Sequence, residues 1–318
     1  MRRVLTMVAA ALVLVGCNRP TPADELCKIG FSSQVSRSMI ESNGDLQQEE
    51  VKIYGSYTLW GNSARLFDGE RLFYDPQLPG WDYSTTQYWI RGAAYNFYAV
   101  CPYTTSCTFS EAQNALTIVD YESETEGGDL LYATASRDLA TREDFSAVPL
   151  TFHHACAGVR FNLVNASNSV LTDVRNVRLV GLCNKGNLRV EASGVASWTL
   201  SEQVVQPNAN VQPFAGTCVL PNGGLLVNLN VKHPLYEHGA VMVLPQSIYK
   251  SGVTLHLEYK KSGDAEYAVR DIQLGMLGGT TPTEWKAGEL YEYNLNITDN
   301  TITTEVRVID WIDHFVDL

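Results

Sequence analysis

Cys17 stands in the one sequence context of this chain that names a reaction. It follows Leu14-Val15-Gly16, with an apolar residue three positions ahead and a small one directly ahead. That is the pattern of a lipobox, where a thiol is acylated and the leader before it is removed. Upstream, Arg2 and Arg3 precede the apolar run Val4 to Val15, the arrangement of a signal peptide. The run is too short to cross a hydrocarbon core of about 30 Å as a helix. Acyl chains on Cys17 would hold a soluble body at a membrane, each buried CH₂ contributing about 0.8 kcal/mol. Asn18 to Asp24 is polar and carries two prolines, so it reads as a tether. No later segment is apolar for long enough to span a bilayer.

Other reactive side chains form no constellation. His153 and His154 are neighbours, so on a strand they face opposite ways and cannot share a metal ion. Neither His-Glu-x-x-His nor Gly-x-Ser-x-Gly occurs. Asp310 and Asp313 flank Trp311, but two carboxylates near a chain end, with no nucleophile beside them, read as solvated groups. Beyond Cys17 there are Cys27, Cys101, Cys107, Cys156, Cys183 and Cys218. Export permits disulfides, and Cys101 with Cys107 is the nearest pair. A chain of this length needs no staples, however, and Cys156 and Cys183 lie in apolar runs, so mostly free thiols are expected. No Cys-x-x-Cys pair suggests zinc. The expectation is therefore a protein without catalytic residues, cofactor or metal. Its formal net charge is −12, two lower once Arg2 and Arg3 leave with the leader, which argues against nucleic acid as a partner.

Aromatic residues crowd between Trp60 and Tyr103, among them Trp81, Tyr88 and Trp89. Exposed rings could stack on sugars. The same residues fill sheet cores, and Tyr95 to Val100 already reads as a core strand, so the core is the favoured reading.

The elements that must hold these residues are strands. Tyr291, Tyr293, Leu295 and Ile297 alternate with polar residues, as do Val253, Leu255, Leu257 and Tyr259. Val159, Phe161 and Leu163 repeat the pattern, as do Leu225, Val227, Leu229 and Val231. Asn222-Gly223-Gly224, Ser262-Gly263-Asp264 and Thr298-Asp299-Asn300 supply turns. Short helical turns are expected only within 110–116 and 129–144. Many short strands with polar turns predict an all-β protein of antiparallel sandwiches. The acidic, glycine-bearing stretch Glu122 to Asp144 suggests a boundary. The expected organisation is leader 1–17, tether 18–27, a first sandwich 28–147 and a second 148–318.

Four landmarks then appear in a telling order. Tyr88-Trp89 is followed by Tyr95-Asn96-Phe97-Tyr98-Ala99-Val100-Cys101-Pro102. Asp129-Leu130-Leu131-Tyr132-Ala133 comes next, then Val148-Pro149-Leu150-Thr151-Phe152-His153-His154-Ala155 running on to Phe161. Trp285-Lys286-Ala287-Gly288-Glu289-Leu290-Tyr291 closes the series, with Val306 to Trp311 beyond. In these the chain resembles the fimbrillin-like proteins of Bacteroidetes, the type V pilins and their relatives. The resemblance implies two transthyretin-like β-sandwich domains in tandem. It implies a lipid-anchored protein of the outer membrane, displayed at the cell surface, that assembles with other fimbrial subunits and supports adhesion. In polymerising members an arginine-specific protease removes the anchored segment with the first strand, and a strand from another subunit fills the groove. Carried onto this sequence, the first strand is Lys28 to Ser33 and the cut falls between Arg37 and Ser38. Arg65 and Arg71 are alternatives inside the presumed first sandwich. The donor is the run Thr301 to Val316, with Ile302, Thr304, Val306 and Val308 as its apolar face. A histidine of the His153-His154 pair is expected to hydrogen-bond at the domain interface. The competing reading is a monomeric surface lipoprotein that binds glycan or a host ligand through aromatic loops.

Overall fold

A computed structural model of the chain describes residues 26–35, 46–77, 80–123, 128–201, 216–220, 225, 227–236, 239–249, 252–277 and 281–310. The first strands are β1 (Phe31–Val35), β2 (Val51–Leu59), β3 (Asn62–Asp75), β4 (Gly80–Asp82), β5 (Ala94–Cys101), β6 (Cys107–Ser110) and β7 (Ala115–Glu122). There follow β8 (Leu131–Asp138), β9 (Val148–His154), β10 (Ala157–Asn165), β11 (Leu171–Leu182), β12 (Lys185–Glu191), β13 (Ala196–Leu200) and β14 (Gly216–Val219). The last are β15 (Lys232–Pro234), β16 (Val241–Val243), β17 (Gln246–Ser247), β18 (Thr254–Lys261), β19 (Ala268–Gln273), β20 (Glu284–Trp285), β21 (Glu289–Ile297) and β22 (Ile302–Asp310). The protein is all-β, as its alternation predicts.

Seven strands close into a ring in the order β1-β4-β3-β2-β5-β8-β9, where a sandwich of two separate sheets is the sequence expectation. The β2–β3 pair can bend because its register shifts twice, between Ile53 and Tyr54 and between Gly55 and Ser56. Gly69 is the unpaired residue of one shift, with φ +76°, a bulge that only glycine adopts freely. Residues 131–138, expected to hold a helical turn, form β8. Leu131 and Ala133 point into the ring, and pairing with β5 along the whole strand outweighs local preference. β9, at the start of the expected second domain, pairs with β1 and β8 and sends Val148, Leu150 and Phe152 into the ring's core.

Farther along, two sheets share one apolar core. One runs β15-β10-β21-β22, with β16 also on β10; the other runs β14-β11-β18-β19. Val159, Phe161 and Leu163 of the first meet Val174, Leu179, Leu255 and Leu257 of the second. The alternating run from Leu225 to Val231 does not become a strand. Val227 exchanges both backbone hydrogen bonds with Leu171, while Leu229 and Val231 are exposed. A third sheet, β13-β12-β7-β6, joins strands from either side of residue 148 through β7 and β12. Beneath it lies a third cluster, in which Tyr98 and Val100 of the ring meet Ala155, Cys156, Met242 and Leu290.

The outward side of β21 departs from simple alternation. Glu292 and Asn294 are buried, as is Asn162 beside them on β10. The Asn162 amide donates to Asn294 Oδ1 at 3.1 Å, and the Asn294 amide donates to Glu292 Oε1 at 3.1 Å. Arg160 lies 2.5 Å and Lys232 3.2 Å from the Glu292 carboxylate. Burial alone would raise the Glu292 pKa, but the Asn294 hydrogen bond and the two cations outweigh it and hold the pKa at about 2. A free glutamate titrates near about 4.3, so this depression adds stability that is complete above that pH and is lost as pH falls towards the folded value. Glu292→Gln is expected to cost roughly 1–3 kcal/mol at neutral pH. Urea unfolding should show that gap shrinking between about pH 5 and about pH 2; a gap independent of pH would contradict the assignment.

Candidate functional site

The first strand occupies a seam in the ring. On one side β1 runs parallel to β9 for five residues, from Phe31 opposite Val148 to Val35 opposite Phe152. On the other side, among the described residues, Phe31 pairs with β4, opposite Trp81, and Lys28 bridges to Tyr88 just upstream. The described ladder is longer on the β9 side.

Side chains supply the rest of its attachment. Phe31 is buried and meets three rings edge to face, Phe97 at 5.4 Å, Phe67 at 5.7 Å and Tyr83 at 6.0 Å between centroids. Just before it, Ile29 is fully buried; its amide donates to Gln87 O at 2.9 Å, and its carbonyl accepts the Tyr83 hydroxyl at 2.7 Å. Burial and this setting push the Tyr83 phenol up to about 12, so it stays a donor at any physiological pH. Trp81 Nε1 donates to Ser33 Oγ at 2.8 Å, and Lys28 pairs with Asp82 at 2.5 Å. β4 can approach this closely because Gly80 has φ +127° and no side chain. A Cβ there would lie 2.8 Å from Phe31 O. Pro79-Gly80 is visible in the sequence as a turn signal; its use as the wall against β1 is not.

The site residues expected from sequence are distributed as follows. Cys17, Arg37 and Ser38 lie outside the described residues, the last two just beyond the end of β1. Arg65 and Arg71 lie inside β3 and are ion-paired, Arg65 with Glu111 and Asp68, Arg71 with Glu50. Ile302 and Val306 pack against the second core and Thr304 is half-buried between them, whereas Val308, opposite Tyr291, is half-exposed. All four stand on β22, which pairs with β21 over its full length. The seat of β1 and the candidate donor thus belong to different sheets of one chain. The side chain of Asp310 and all of Asp313 lie outside the described residues.

His153 and His154 face opposite ways, as expected of strand neighbours. His153 lies against Tyr132, and burial lowers its pKa, with His154 adding to the effect. His154 is buried where the ring meets the second core, 2.7 Å from the equally buried Asp129 carboxylate. Cys101, Cys107 and Cys156 are free thiols, so the local Cys101–Cys107 pair is not formed. Burial pushes Cys107 up to about 11 and Cys101 up to about 12, which leaves both unreactive. Trp81 and Trp89, offered as sugar platforms, are core residues, 7% and 6% exposed. Of the crowded aromatics, Trp60 and Tyr88 carry the exposure, at 91% and 42%.

Phe31→Ala should destabilise the protein by about 3–5 kcal/mol in denaturant unfolding, the cost of removing a fully packed aromatic ring. It should also speed hydrogen exchange in β1 and at its β9 partners before β2 and β5 respond. A uniform acceleration around the ring would show that β1 is not a separately attached strand.

Comparison with known proteins follows the same outline. Among solved structures, a fimbrial protein from Bacteroides vulgatus matches with a TM-score of 0.60 at 16% identity, covering 89% of this chain and 99% of its own. A candidate cell adhesion protein from Bacteroides uniformis matches with a TM-score of 0.55 at 17% identity, covering 89% of this chain and 98% of its own. At such identities the likeness is one of fold. No curated protein matches the chain. The model of the fimbrillin-like family, by contrast, matches residues 45–311, the span that carries all four sequence landmarks. The chain belongs to the fimbrillin-like family.

Proposed function

We propose that the protein is a structural, non-enzymatic subunit of cell-surface fimbriae that assembles by strand exchange and supports adhesion. The observation that carries this reading is the attachment of β1: a five-residue ladder on β9, one described pair on β4, and a buried Phe31 between them. Removing such a strand gives up that ladder and bares Phe67, Tyr83, Phe97 and Phe152 and the free edge of β9. A strand from another subunit would restore both, as in other strand-addition complexes. Donor and acceptor lie in different sheets of one chain, so donation runs head to tail between chains and builds a filament.

In this reading Cys17 is acylated and holds the precursor at the outer membrane. Cleavage between Arg37 and Ser38 then frees the body together with the seat of β1. The run from Thr301 to Val316, led by Ile302, Thr304, Val306 and Val308, is the donor. The inward-facing alternation of Ile302, Thr304 and Val306 suits a strand that can exchange one apolar seat for another. The two segments 28–147 and 148–318 correspond to the transthyretin-like tandem of the family, with β9 lent by the second to the ring of the first. Exposed Trp60 and Tyr88 keep a second reading open, a monomeric surface lipoprotein that binds a glycan or host ligand.

Mild digestion of the purified protein with an arginine-specific protease separates the two. One cut after Arg37, located by mass spectrometry, followed by rods in electron micrographs, is the expected result. A body that is cut there yet stays monomeric would sink the strand-exchange reading. An uncut body with measurable glycan affinity would favour the second.

A further inference from the structure

The β2–β3 hairpin turns through Trp60 and Gly61, whose φ angles are +51° and +80°. Two central residues with positive φ match the twist of the flanking strands, and Asn-Gly is the pair that adopts this turn with least strain. A tryptophan at the first position carries the steric penalty of a left-handed L-residue. The fold gains nothing in exchange, because the indole is 91% exposed. Fold stability therefore does not account for the residue.

The turn lies at the end of the ring where the chain enters. Thr58 is opposite Ala94, and Ala94 is opposite Asp138. The Leu139 amide donates to Ala93 O, and the Val148 amide donates to Gly30 O. β1 starts at this same end and runs away from it alongside β9. Two more large apolar side chains are exposed here, Leu26 at 76% and Tyr88 at 42%, next to each other because the Trp89 amide donates to Cys27 O. The nearby cations are neutralised, Lys28 by Asp82 and Arg91 by Glu143.

Chain length says what lies opposite this surface. Cys17 is nine positions before Leu26. A fully extended segment of that length reaches at most about 30 Å, so an anchor at Cys17 presents this end of the ring to the bilayer. Indole and phenol rings prefer the headgroup layer, and neutral aromatic insertion suits an acidic body that anionic surfaces repel.

We propose that the end of the ring bearing Trp60, Tyr88 and Leu26 rests on the lipid headgroup layer of the membrane that holds Cys17, with Trp60 inserted into that layer. This rests on the lipoprotein reading given above. It orients the precursor: β1 points away from the bilayer, and the chain leaves Val35 on the side open to a protease.

The test uses the full-length lipidated protein in vesicles of phosphatidylethanolamine and phosphatidylglycerol, with and without brominated acyl chains. Tryptophan emission is compared between wild type and Trp60→Asn. Asparagine suits the turn, so the variant should melt no lower than wild type. Wild type should lose more of its emission to the brominated lipid than Trp60→Asn does, and the difference reads Trp60 alone, because the variant keeps the buried Trp81, Trp89 and Trp285, the half-buried Trp198, and Trp311. Equal quenching in the two proteins, with acyl mass present on Cys17, would overturn the docking alone. Absence of acyl mass on Cys17 would overturn the lipoprotein reading and the docking with it. A Trp60 emission shift that grows with protein concentration and needs no vesicles would identify a second copy as the occupant and also overturn it.

Discussion

Closure of the N-terminal ring depends on Phe31. The strand that carries it is laddered to β9 over five residues and, among the described residues, pairs with β4 at Phe31 itself. Three edge-to-face ring contacts add to that pairing, each worth roughly 0.5–1.5 kcal/mol beyond area burial. Departure of a strand held this way would expose much apolar surface.

What happens at β1 reaches the rest of the molecule through β9. The strand that pairs with β1 runs, after the short bend at Ala155 and Cys156, directly into β10, the centre of the second core. That bend is clamped: Trp198 Nε1 donates to Ala155 O at 2.8 Å, the Gly288 amide donates to Cys156 O at 2.9 Å, and the buried Asp129–His154 pair sits beside it. The sheet formed by β7 and β12 ties the same two regions from outside. Loss of β1 would therefore strain a junction fixed from several directions rather than a hinge, and the second core would be buffered from changes in the ring.

Much of this was legible in the sequence, and the failures have physical causes. Period-two alternation located β10, β18, β21 and β22, because each has at least one face on a core. It could not distinguish a ring from a sandwich, since both present the same alternation. Closure is set by bulges at Gly55 and Gly69 that no periodicity records. The run around Leu229 alternates equally well but finds no partner strand beyond isolated bridges, so pattern without a neighbouring edge gave a loop. Residues 131–138 form a strand where a helical turn is expected, because pairing with β5 and β9 outweighs the local preference of Ala and Leu for helices. The aromatic crowding belongs largely to the core. Composition alone does not separate Trp60 from Trp89; one sits on a turn, and the other on a segment hydrogen-bonded to Cys27 with its ring in the core.

The edge strand β22 must combine two properties that usually conflict. A free edge that pairs readily is an aggregation hazard, and native proteins blunt such edges with charge. In β22 the exposed positions are Thr303, Glu305, Arg307 and Val308, with Arg307 bonded to Glu305, while Ile302 and Val306 face inward. The inner face supplies the driving force for pairing with β21, and the charged outer face discourages lateral stacking of sheets. Beneath it, the polar ladder Asn162–Asn294–Glu292 keeps the outward side of β21 hydrophilic even though it is covered. A second chain approaching that face would have to desolvate the partly exposed Arg160 and Lys232, which costs more than it returns. Lateral association over that face is therefore disfavoured by the same network that stabilises the sheet.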